Sequence, residues 1–439
     1  MAKRVVLAFV VAMCVPALAG AQVLERPRRE RQPRHEESWR EVTLSASTLG
    51  SYDDNLAAEQ TLLNPDVSFP PGYTGYADTA LRLEQGKGAK SFDVSGRAYV
   101  NSFRNVGMEP MYGGDAQAHF TAGTRHRFEA WQGFRNEPFY NLGGFAPFRH
   151  VTEGSAVPDE NPLNGSSARR SWSAASRIDV TSQWSPRNAL GMSLGYDTRN
   201  YNDLVGDTRG GVGSVFYSRN TGRRSRLRFS YGYADSRLLD VGGWIPLQTH
   251  TADGGLEVEH RFSPTRRLFI SFGAGGIRAT TFDRLTSEVA DLWLPAGFGT
   301  MRLDWARTWS ISADYRRVVG AIQGISGEAF TTDAALVSVG GFVAKSLALE
   351  LSVGYADGGA SVGSTSSYDT LTTAAQLQWH FSTAWSALVS HDRYQYSLRG
   401  IDPILHLPED VNRNAVRVGL AMNLPLGSRR SRTEPRTRD

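Results

Sequence analysis

The chain has 439 residues, 48 Lys+Arg against 44 Asp+Glu, 45 Gly, one Cys, and 10 Trp, 16 Tyr and 20 Phe, with a mean hydropathy of −0.35. That mean excludes a bundle of transmembrane helices, which needs repeated apolar runs of about 20 residues, and a lone cysteine excludes a disulfide scaffold within the chain. The aromatic content is too high for a disordered chain, and length alone would suggest about three soluble domains.

Residues 1–21 have the three parts of a secretory signal. Lys3 and Arg4 are the charged start, Val5 to Val15 the apolar core, and Ala19-Gly20-Ala21 a small-x-small cleavage site. Cys14 lies inside this segment, so the exported chain is expected to carry no cysteine. Residues 22–40 read as a short, Arg-rich periplasmic leader and 428–439 as a basic periplasmic tail. The basic balance sits in these ends and leaves residues 41–427 nearly neutral. No basic stripe supports nucleic-acid binding.

Between the ends no amphipathic helix is patterned. Apolar and polar residues instead alternate at period two. In chain order the predicted strands are 41–53, 74–86, 91–104, 114–124 and 126–139, followed by the longest connection, 140–170. Next come 171–184, 189–202, 210–220 and 223–237, the last setting Leu227, Phe229, Tyr231 and Tyr233 against Arg224, Arg226, Arg228 and Ser230. Then follow 248–263, 267–281, 291–304, 308–321, 329–343 and 346–358, where Leu347, Leu349, Leu351, Val353 and Tyr355 oppose Ala348, Glu350, Ser352 and Gly354. The series ends with 368–382, 385–398 and 413–426. The second and twelfth are the weakest, and the alternation slips near Leu294 and Met301, as at a bulge.

Tight turns such as Gly86-Lys87-Gly88 and Thr221-Gly222-Arg223 alternate with longer connections such as 54–73, 140–170 and 399–412. Transmembrane barrels have this asymmetry, with short periplasmic turns and longer outer loops. Trp172, Trp184, Trp305, Trp309, Trp379, Phe381, Trp385, Tyr394 and Tyr396 lie near strand ends, where interfacial girdles form. The expectation is an all-β fold, a transmembrane antiparallel up-and-down β-barrel of eighteen strands over 41–427, or sixteen if the two weak segments fail. The setting is the bacterial outer membrane, and lipid is the first partner.

Leu49-Gly50-Ser51-Tyr52-Asp53-Asp54-Asn55 resembles the opening of a family of outer-membrane β-barrel porins, some of which accompany exopolysaccharide or exosortase systems. The resemblance implies a barrel and, in those relatives, polysaccharide-system partners. Read on their own, Asp53 and Asp54 mark a turn leaving the membrane or offer oxygen ligands to a cation. Near the other end, Arg417, Gly419, Met422 and Leu424 stand in a pattern similar to the C-terminal signal of such barrels, which implies recognition by the barrel-assembly machinery.

The inward faces carry both signs. Arg97, Arg127, Arg177, Arg224, Arg226, Arg228, Arg302 and Arg316, with Glu257, Glu259, Asp304 and Asp314, are the candidate lumen and selectivity residues. Either they set a transverse field across a water-filled pore or they form ion-pair ladders that stiffen a narrow barrel. Arg224, Arg226 and Arg228 are read as three cations on one strand face, spaced about 7 Å apart. Their repulsion calls for acids on a neighbouring strand, with Glu257 and Glu259 the nearest. Phe148, Arg149, Glu153, Asp159 and Glu160 in 140–170 are a candidate constriction loop.

Catalysis finds little support. His391 and Asp392 are adjacent on a strand and point to opposite faces, and no Gly-x-Ser-x-Gly, His-x-x-x-His or Cys-x-x-Cys motif exists. No cofactor or metal is expected. The sequence favours a porin-like channel for passive diffusion of polar or charged solutes. The other reading is a non-conducting scaffold or surface barrel in an envelope or exopolysaccharide assembly.

Overall fold

The computed structural model describes residues 37–54, 72–87, 90–104, 111–122, 125–138, 170–201, 207–240, 243–283, 288–305, 308–321, 329–361, 366–400 and 410–432. Eighteen strands account for them: β1 (Glu37–Asp53), β2 (Gly72–Lys87), β3 (Lys90–Arg104), β4 (Met111–Ala122), β5 (His126–Pro138), β6 (Arg170–Gln183), β7 (Asn188–Tyr201), β8 (Thr208–Asn220) and β9 (Ser225–Asp240). The second half comprises β10 (Gly243–Ser263), β11 (Arg266–Asp283), β12 (Glu288–Trp305), β13 (Trp309–Ala321), β14 (Ala329–Ala344), β15 (Leu347–Ala360), β16 (Ser367–His380), β17 (Trp385–Arg399) and β18 (Asp410–Arg432). Each strand pairs antiparallel with its neighbours in the chain, and β1 pairs with β18. The sheet is therefore closed, and its backbone groups find partners without an exposed edge along the wall.

All eighteen predicted strands are present, including the weak second and twelfth. The largest differences are at strand ends. β1 begins at Glu37, inside the predicted leader, and β18 runs on to Arg432, inside the predicted tail. β10 begins at Gly243 rather than 248. The added ends of β1 and β18 are largely polar on both faces, and the added start of β10, Gly243 to Leu247, is apolar on both, with Trp244 outward and Ile245 and Leu247 buried, so period two carries no signal in any of them. β12 shows no register shift against β11 from Glu288 to Asp304 or against β13 from Gly297 to Trp305. The slip near Leu294 is thus no bulge: Leu294 and Phe298 point inward and Trp293 and Met301 outward, so the face expected to be polar carries apolar side chains. Register shifts fall instead at Arg261/Ser263 and Phe342/Ala344, where strands enter short turns, and at Val42/Thr43 between β1 and β18.

The outer face carries the apolar half of the alternation. Ile178, Leu190, Met192, Leu194, Leu351, Val389, Val418 and Leu420 are all exposed on it. Toward the long connections the band ends in aromatics, among them Tyr52, Tyr73, Tyr112, Phe134 and Trp172. Tyr52 meets Tyr73 edge-on with centroids 5.5 Å apart, and Phe134 lies 6.5 Å from Trp172. Toward the short turns it ends in Trp184, Trp379, Phe381 and Trp385. An apolar band between two aromatic girdles is the surface a lipid bilayer selects. Tyr394 and Tyr396 depart from the girdle expectation. They alternate with outward Arg393 and Gln395, face inward and are buried.

Candidate functional site

The interior is built by the same alternation. Where β9 turns Phe229 and Tyr231 outward, Arg226, Arg228 and Ser230 must point in. Eighteen strands leave room for an aqueous lumen, and the inner wall includes two regions of different chemistry.

The first region, over β2–β6 and β9–β13, is charged. Arg97 Nε donates to Asp78 Oδ2 at 3.0 Å and its Nη2 donates to Tyr76 Oη at 2.7 Å. Arg127 lies 3.3 Å from Glu129, which also accepts from Gln117 at 2.7 Å. Arg177 lies 2.8 Å from Asp179. On β9 and β10, directly opposed Arg226 and Glu257 are 3.5 Å apart, and Arg226 Nε also donates to Asn220 at 2.9 Å. Glu259 lies 2.9 Å from Arg261 and 3.9 Å from Arg267, and Asp304 takes both Arg267 and Arg302 at 2.9 Å. Asp314 and Arg316 occupy the inward face of β13, in register with Thr300 and Phe298.

Most of these cations thus have a carboxylate within reach, through pairs that, apart from the half-buried Arg97–Asp78, remain wet. Arg177 is 62% exposed in mid-strand although it points inward. Pairs so hydrated contribute about 0–1 kcal/mol each to stability. Their larger effect is to set the field that a solute meets. Arg228 differs: its Nε is buried with no hydrogen-bond partner, and its guanidinium lies 4.5 Å from the Phe216 ring. Among the described residues no carboxylate pairs with it.

Arg224 does not extend this row. It precedes β9 in the turn, and its Nη1 is 3.2 Å from Nδ1 of His260 on the outer side. The expected run of three cations is two on the strand. Phe148, Arg149, Glu153, Asp159 and Glu160 of the candidate constriction loop lie outside the described residues, as do the signal segment and residues 22–36 of the leader.

The second region, over β14–β18 and β1, is richer in apolar and hydroxyl side chains, with ion pairs toward the seam. Phe330, Leu336, Tyr368, Leu388, Tyr394, Tyr396 and Leu398 are buried on its inward face. Thr332 and Tyr368 share a short hydroxyl–hydroxyl hydrogen bond, and Gln378 donates to Ser386 at 3.0 Å. Nothing in period two announces this wall, because its outward partners include His391, Arg393 and Gln395.

The seam between first and last strands carries a cluster that sequence reading assigned otherwise. Asp53 is buried and accepts from Arg413 Nε at 2.6 Å. Asp54 accepts from the Asn414 backbone amide and from its side-chain amide, both at 2.7 Å. These two aspartates clasp β1 to β18. Among the described residues no group of three or more His, Cys, Asp or Glu is arranged to hold a metal. Further down the seam, Arg417 points inward, 3.8 Å from buried Asp392. Gly419 faces inward beneath Leu49, while Met422 and Leu424 face outward opposite Ala46 and Leu44.

No family model matches the chain, and no curated protein sequence matches it. Among solved structures it is similar to OpdL of Pseudomonas aeruginosa, at 10% identity and a TM-score of 0.44, over 88% of this chain and 99% of that one. It is similar to OccAB4 of Acinetobacter baumannii, at 10% identity and a TM-score of 0.44, over 90% and 100%. It is also similar to OccK2 (OpdF) of Pseudomonas aeruginosa, solved in complex with glucuronate, at 9% identity and a TM-score of 0.47, over 88% and 98%. Likeness at this level carries no information on solute or partner.

Proposed function

We propose that the chain is an outer-membrane channel through which polar or charged solutes diffuse passively past a mixed-charge wall. One observation carries the reading: inward side chains in mid-strand stay exposed, Arg177 at 62% and Val212 at 49%. A barrel plugged along this wall would bury them. The apolar outer band and aromatic girdles support insertion in a membrane that admits closed barrels. The short-turn end, which holds the start of β1 and the end of β18, is assigned to the periplasm.

The mechanism needs no covalent step. A hydrated solute exchanges part of its water shell for the Arg and carboxylate groups of one wall. Recognition of the last strand, through Arg417, Gly419, Met422 and Leu424, by the barrel-assembly machinery belongs to the same reading. So does the candidate constriction in 140–170. Liposome swelling with neutral and charged sugars of rising size tests the channel: entry with a size cut-off supports it. Liposomes that hold the folded barrel yet admit no solute would favour the scaffold reading instead.

A further inference from the structure

We propose that the outward face of β8–β10 at the long-connection end docks the phosphate groups of a phosphorylated glycolipid in the outer leaflet. This rests on the outer-membrane placement argued above. Arg209 on β8 and Arg237 on β9 are directly opposed in register, and both lie on the outward face. Like charges facing each other across an antiparallel pair repel, so the arrangement favours an anion between them. Arg209 reaches across β9 to stack on Trp244 of β10, with 4.2 Å from guanidinium to ring. That stack draws the first cation toward the strand that carries the second. Among the described residues Arg237 has Asp235 at 3.9 Å, and no ion pair forms with Arg209, although Asp207 stands two residues before it.

Height and contrast select the partner. Leu227 opens the apolar run of β9, and Arg237 lies ten residues on, a rise of about 25 Å at a tilt of about 40°. The two arginines therefore stand at the top of the apolar band, just above Tyr231 and Tyr233, where lipid head groups lie. Two other outward arginines toward this end are neutralised by the chain itself. Arg278 is held by Asp291 at 2.7 Å, and Arg317 by Asp333 at 2.7 Å. Two opposed guanidiniums beside an exposed indole offer charge-assisted hydrogen bonds to phosphate and an apolar shelf to the sugar or acyl chain.

The test uses the refolded full chain in mixed micelles, titrated with lipid A carrying both phosphates and with its dephosphorylated form. The expected result is about tenfold tighter binding of the phosphorylated form. Arg209→Gln with Arg237→Gln should abolish that preference, while Arg226→Gln leaves it intact. Equal binding of the two lipids, or a preference unchanged in the double variant, would overturn the proposal. So would full displacement by millimolar inorganic phosphate, which would mark a free-anion site. Loss of the channel reading would show differently, as absent conductance with the glycolipid preference retained.

Discussion

Leu49 occupies the space in which any side chain at Gly419 would stand. The two are directly opposed on β1 and β18, and a Cβ at 419 would meet Leu49 Cδ2 and the Thr48 carbonyl oxygen well inside van der Waals contact. The missing side chain lets Leu49 lie across the seam and share a buried cluster with Tyr76 and Leu388. A glycine in the last strand is thus explained by barrel closure.

Gly419→Ala should destabilise the folded barrel by about 1–3 kcal/mol, the usual cost of overpacking. Urea titration of the heat-modifiable gel shift reads it directly. Leu49→Ala in the same chain should restore only part, since the Thr48 oxygen still opposes the new methyl. Complete rescue would mean that the side chain alone sets the constraint.

The Asp53–Arg413 pair makes a second prediction. Its side chains are 2% and 5% exposed, so losing one partner strands a buried charge. Arg413→Met should cost about 3–5 kcal/mol, and Arg413→Met with Asp53→Leu distinctly less. A cycle of the two singles and the double, measured by the same titration, gives the coupling. Additive losses would contradict a buried, interacting pair.

The alternation itself can be read chemically. Once the signal segment is removed the chain is expected to carry no cysteine, so single cysteines report without background. Ser193→Cys and Ser214→Cys should react with a membrane-impermeant maleimide through the lumen. Met192→Cys and Val215→Cys, one residue away on the lipid face, should not. Equal labelling of both sets would refute the assigned faces.

Selectivity separates paired from unpaired cations. Arg228→Gln should move the reversal potential toward cation preference, because it removes a positive charge that no described carboxylate balances. Arg226→Gln combined with Glu257→Gln should leave it near the wild-type value, since the pair is neutral together. The reverse ranking would show that the Arg226–Glu257 contact does not persist in the open pore.

The fold was legible because half of every strand faces lipid. Leu347 to Tyr355 and Val416 to Leu424 alternate as they do for no reason but that solvent, and all eighteen segments follow from it. The inner wall was legible only in part. Charge there points to water, and Arg226 with Glu257 could be paired from strand neighbours alone. Tyr394 and Tyr396 could not, because an inward apolar wall and an outward polar rim reverse the signal on one strand. Asp53 looked like turn chemistry since its partner, Arg413, lies 360 residues away in sequence. A closed barrel makes its longest-range contacts between its two ends, and local patterning holds no trace of them.

Single-channel conductance of the refolded chain in a planar bilayer decides whether the barrel is an open, charged channel. Stable stepwise openings are expected, with a reversal potential under a salt gradient that Arg228→Gln shifts and the paired Arg226/Glu257 change does not. A folded barrel that inserts and passes no current would contradict it and leave the envelope-scaffold reading in its place.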